Sequence, residues 1–218
     1  MTALSASTIR SMPRTRARAG EEDRSHFVVL DVDASVPSST DPCTAPAGVH
    51  WIWARSPGQP QELDLVLVGK WLIYVACGHV GYCWHRVREA TEERTLGIGA
   101  KVSTDWGKAQ DLAGIVAEGA AGWRDHVICV YTADWRNRED VARVGSRLAE
   151  IDAVRTQTLH YKPDALTYGG MWAGNAPGEI AIYSMRKPYQ ELLEDPETVA
   201  AVRELVQPGA CRQPTAPS

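Results

Sequence analysis

At 218 residues, with 44% apolar and 23% charged residues, the chain has material for one globular domain with an ordinary core. A formal net charge of −4 argues against general nucleic-acid binding, which ordinarily shows a basic excess. No apolar run approaches a membrane span, so no membrane partner is expected. The five cysteines, Cys43, Cys77, Cys83, Cys129 and Cys211, form no dense framework. An odd number of that kind suits a reducing compartment, and a cytoplasmic location is expected.

Residues 1–25 carry Arg10, Arg14, Arg16 and Arg18 without an apolar segment or a period, which predicts a disordered basic arm and no secretory signal. A domain is expected over 26–206 and a disordered tail over 207–218. Strands are predicted at His26–Asp33, at Val49–Ala54 and over Leu63–Val75, the last interrupted by a bulge or turn at Gly69. From Tyr82 to Arg94 the spacing of Trp84, Val87 and Ala90 is helical. Leu96–Thr104 reads as a loop entering a strand, and Asp111–Glu118 as a short helix.

His126–Thr132 (HVICVYT) is a buried strand. Asn137 then caps a helix whose stripe is Val141, Val144, Leu148 and Ile151. Strands follow at Arg155–Tyr161 and Ile180–Arg186, and a helix broken or begun at Pro196 lies within Glu191–Val206. Strands outnumber helices and several are joined by short turns. This favours an α+β fold, a mainly antiparallel sheet covered by helices.

The eight Trp and seven Tyr, against one Phe, supply rings with polar handles that suit cores and ligand walls alike. Lys70, Lys101, Lys162 and Arg186 lie on or beside strands, where fixed cations can recognise phosphate or merely discourage edge pairing. Trp172 and Asn175 sit in the glycine-flanked loop TYGGMWAGN. Cys77, His79, Cys83 and His85 form C-x-H-x3-C-x-H in CGHVGYCWH. These four are conceivable zinc ligands, but compact runs of that kind seldom make a site, and no metal is assigned. Cys129 reads as a small core residue. No nucleophile elbow or phosphate-loop fingerprint is present.

The segments GKWLIYV, LGIGAKVST, HVICVYTADWRNREDVARVGSRL and YKPDALTYGGMWAGN resemble the family of the human basophilic-leukaemia-expressed protein. The likeness runs roughly from Trp51 to Arg186. Bacterial members are provisionally labelled phosphothreonine lyase domain proteins, and the family is similar in fold to the cap-binding translation initiation factor. The resemblance therefore implies a curved antiparallel sheet backed by helices. Trp53 stands near the factor's first base-stacking tryptophan, while GQPQELD, with Glu62, lacks the second.

A second resemblance is to the bacterial effector phosphothreonine lyases, which remove phosphate by β-elimination. It implies Lys70 as a phosphate contact, Lys101 as the base and Arg186 as a phosphate ligand. His160 stands where those enzymes have a tyrosine, and Leu72 where they have the acid histidine.

Together these readings imply a lyase acting on a phosphorylated small molecule or peptide without a cofactor. Lys101 and His160 would be catalytic, and Lys70, Arg186, Lys162, Tyr161, Trp53, Trp172 and Asn175 would bind substrate. The alternative is a non-catalytic module that stacks a nucleotide or phosphorylated small molecule on tryptophan.

Overall fold

The computed structural model describes residues 27–29, 36–59, 62–64, 66–116, 125–154, 156–168 and 181–206. The predicted arm and tail, Trp172 and Asn175 lie outside them.

A seven-stranded sheet runs in the order β2 (Trp51–Arg55), β5 (Gly99–Ser103), β6 (His126–Thr132), β4 (Gly69–Val75), β7 (Thr158–Pro163), β8 (Tyr183–Arg186), β9 (Leu193–Glu194). Every neighbouring pair in it is antiparallel. A separate antiparallel pair joins β1 (Phe27–Val29) to β3 (Glu62–Asp64). With the helices described next, this is the α+β fold read from the sequence.

Alternation along the strands decides which face is core. Ile52, Ala100, Ile128, Val130, Trp71, Ile73, Leu159, Tyr161 and Met185 share one face and are buried. The same core takes Val80, Cys83, Trp84 and Val87 from α1 (Cys77–Glu92), and Val141, Val144 and Leu148 from α3 (Arg138–Glu150). Val199 and Val202 join it from α5 (Pro196–Leu205). Trp71 is fully buried, and its indole N–H donates to the Val141 carbonyl at 3.0 Å. At Gly145 the helix backbone comes so close that a Cβ would strike Met185 Sδ and the Trp71 ring.

Several boundaries differ from the sequence reading, for local reasons. α1 begins at Cys77, where Gly78 and Gly81 disguised the first turns as a loop; burial of Val80, Cys83 and Trp84 outweighs their weak helix propensity. α2 (Asp105–Val116) begins six residues before the expected start. Gly69 opens β4 instead of bulging within it, and a side chain there would run into the Tyr161 phenol ring. The Asn137 cap is as expected: its side chain accepts from the Asp140 N–H. Asp195 caps α5 in the same manner, with Pro196 in the first turn.

Candidate functional site

The opposite face of the sheet holds the polar residues. Register places Trp53, Lys101, Cys129, Leu72, His160 and Ser184 side by side across six strands. Lys70 lies in the next row, between Tyr131 and Lys162. Leu63 of β3, with Val68 and Ile98, packs on this face against Leu72, Cys129 and Tyr131. That small roof buries two lysines, Lys70 at 7% exposure and Lys162 at 3%.

Each cation has a definite environment. Lys70 Nζ pairs with the buried carboxylate of Asp164, the first residue of α4 (Asp164–Tyr168), and lies 3.4 Å from Thr167 Oγ1. The Asp164 N–H is itself anchored by the Val68 carbonyl at 2.9 Å. Lys101 Nζ stands 4.2 Å from the ring centre of Trp51 and 5.1 Å from that of Trp53. Tyr131 links the two cations, its ring centre being 5.5 Å from Lys70 Nζ and 5.9 Å from Lys101 Nζ. Trp53 stacks on it at 5.9 Å with the planes 17° apart. A cation held over several ring faces is favoured in its charged form.

Lys162 is the contrasting lysine. Burial first, then the neighbouring charge of Lys70, lower its ammonium from 10.5 to about 8, while Asp164 pulls the other way. The neutral amine is therefore accessible near neutral pH, as a base requires. Cys129 lies amid all three lysines. Burial raises its thiol, and Lys70, Lys101 and Lys162 each act to lower it. Burial keeps His160 neutral, and its Nδ1 is buried with no hydrogen-bond partner among the described residues.

Not every expected side chain belongs here. Tyr161 points into the core, fully buried, with its hydroxyl on Thr132, because its neighbours in β7 take the other face. Arg186 does share the polar face, but opposite Thr158 and exposed, about 14 Å along the strand from the Lys162 row at about 3.4 Å per residue. The motif CGHVGYCWH lies on α1, so helical geometry splays its side chains: Cys83 enters the core while Cys77, His79 and His85 are exposed. Tyr131, Cys129 and Asp164 were missed. Alternation within HVICVYT held the signal for the first two, and the acid of YKPD held it for the third.

The family model of basophilic leukemia-expressed protein Bles03 matches residues 61–170, half of the chain. The chain belongs to this family. The matched span carries Lys70, Lys101, Tyr131, His160, Lys162 and Asp164, whereas Trp53 and Arg186 lie outside it.

Proposed function

We propose that the lysine-bearing face receives a phosphorylated small molecule or peptide and eliminates its phosphate. The observation that carries this reading is the meeting of Lys70, Lys101 and Lys162 around Cys129 and Tyr131, with Lys70 and Lys162 buried. Buried cations gain most from an anion when the local dielectric is low. One carboxylate, Asp164, pairs with Lys70 within the group.

In this reading Lys162, not Lys101, is the base. Lys101 Nζ stands over the rings of Trp51, Trp53 and Tyr131, a setting that suits a phosphate-binding cation, whereas burial favours the neutral Lys162 amine. Lys162 takes the proton next to the substrate carbonyl, and the C–H electron pair becomes the new carbon–carbon double bond. The Cβ–O bond breaks, and phosphate departs with its electron pair toward Lys70 and Lys101. The neutral His160 imidazole donates a hydrogen bond to the leaving oxygen. Products are a dehydro residue and inorganic phosphate, and the balance needs no co-reactant.

Incubation with phosphothreonine peptides, followed by mass spectrometry, tests this. The dehydro product is expected with wild type and should fall at least a hundredfold, on the order of a lost general base, with Lys162→Met. Equal rates for the two would remove Lys162 from the role.

A second reading is a binding module without turnover. It is favoured by Leu72, which occupies the row between Lys101 and His160 where an acid would be useful, and by the Trp53–Tyr131 stack. Saturable quenching of tryptophan fluorescence by nucleotides, with no product formed, would select it.

A further inference from the structure

At one end of the sheet, on the helix-covered side, four potential ligands from four separate segments meet. Cys43 comes from the connection before β2, Cys77 from the start of α1, Asp105 from the start of α2 and His126 from the start of β6. One donor atom from each lies within 4.8 Å of all the others. Cys43 Sγ is 3.7 Å from His126 Nε2, which is 3.2 Å from Asp105 Oδ1. With metal–ligand bonds of about 2.0–2.3 Å, tetrahedral geometry puts ligand atoms about 3.3–3.8 Å apart. The two sulfurs are closer, at 2.7 Å, and would separate by about 1 Å on coordination.

The imidazole is oriented for a ligand. The His126 side chain has no solvent exposure, and its Nδ1 faces the Ser103 carbonyl at 2.7 Å. That carbonyl accepts Nδ1–H, and Nε2 faces the Cys43 thiol and the Asp105 carboxylate, where an unprotonated ring would offer its lone pair to an ion. This outer hydrogen bond is the usual support for a metal-bound histidine. A cation between Nε2 and the Asp105 carboxylate would take both as ligands, and here two sulfurs complete the donor set.

The surrounding backbone is also arranged. The Asp105 N–H donates to the Pro42 carbonyl at 3.1 Å, and the Asp41 carboxylate accepts from the Cys43 N–H at 2.8 Å. Trp84 holds the same connection by donating to the Ser38 carbonyl at 2.8 Å.

The geometry points to a structural zinc site formed by Cys43 Sγ, Cys77 Sγ, His126 Nε2 and Asp105 Oδ1. Two thiolates and an imidazole select zinc over magnesium or calcium. The ion would tie the 36–49 connection to α1, α2 and the sheet, on the face opposite the lysines. It is therefore independent of the proposed elimination. The sequence reading found Cys77 but paired it with its near neighbours, since nothing in the spacing links it to Cys43 or His126.

Elemental analysis of the reduced full-length chain, purified without chelator, is the test. About one zinc per chain is expected in wild type and in the His79→Ala and His85→Ala controls. Less than a fifth of that is expected in Cys43→Ser and Cys77→Ser. Because those variants could fail to fold, cobalt is also added to the metal-stripped wild type, where thiolate-to-cobalt charge-transfer absorption is expected. A wild-type chain that holds no zinc and develops no such band overturns the site, as does a Cys43–Cys77 disulfide that accounts for both thiols.

Discussion

The two faces of the central sheet are built from alternate residues of the same strands, yet they obey different chemistry. In β4, Trp71, Ile73 and Val75 go to a core closed by helices, while Lys70 and Leu72 go to a face covered in part by Leu63 of β3, Val68 and Ile98. Both sets are buried. The first is stabilised by burial itself, whereas placing lysines under an apolar roof costs stability unless something returns it. A folded domain needs only the first face. The second is where function is to be sought.

The largest break in this comparison comes from the helix side. Trp71→Ala removes a fully buried indole that packs edge-on to Tyr161 at 5.2 Å and donates to Val141. A loss of about 3–5 kcal/mol is expected in chemical denaturation.

Lys162→Met should act in the opposite direction. Lys162 binds its proton less readily folded than unfolded, so the unfolded chain carries the extra proton between about pH 8 and 10.5. Through that window Lys162 itself contributes a rise in stability with pH of about 3 kcal/mol at most, against the opposite trend from Cys43, Cys129 and Tyr74, whose pKa burial raises. The stability of Lys162→Met relative to wild type should therefore fall by up to that amount across the window, from equal or about 1 kcal/mol above it at pH 7. A difference between the two proteins that does not change with pH would show that the lysine is charged without penalty.

The smallest effect concerns His160. Its folded pKa lies below 6.5 through burial, so stability should fall as pH drops below 6.5, where the unfolded imidazole gains a proton first. His160→Leu should lessen that loss by less than about 1 kcal/mol.

Much of this division is legible in the sequence. HVICVYT as a strand, Asn137 as a cap and the Val141–Leu148 stripe follow from local patterns, and they lie where expected. Lysines on strands marked the polar face. What local pattern does not contain is pairing. Lys101, Cys129, Leu72 and His160 become neighbours only through the order β5, β6, β4, β7, and Tyr161 was misplaced for want of its parity relative to β4. The Cys43–His126 contact spans 83 residues and depends on where a connection folds back. Phosphorus NMR of a phosphothreonine peptide titrated with the intact chain is the most direct check on the lysine face. The account predicts a saturable shift of the peptide resonance that is lost in Lys70→Met and Lys101→Met, with free phosphate growing in for wild type and not for Lys162→Met. A resonance that stays unmoved and unconverted at excess wild-type protein would contradict it.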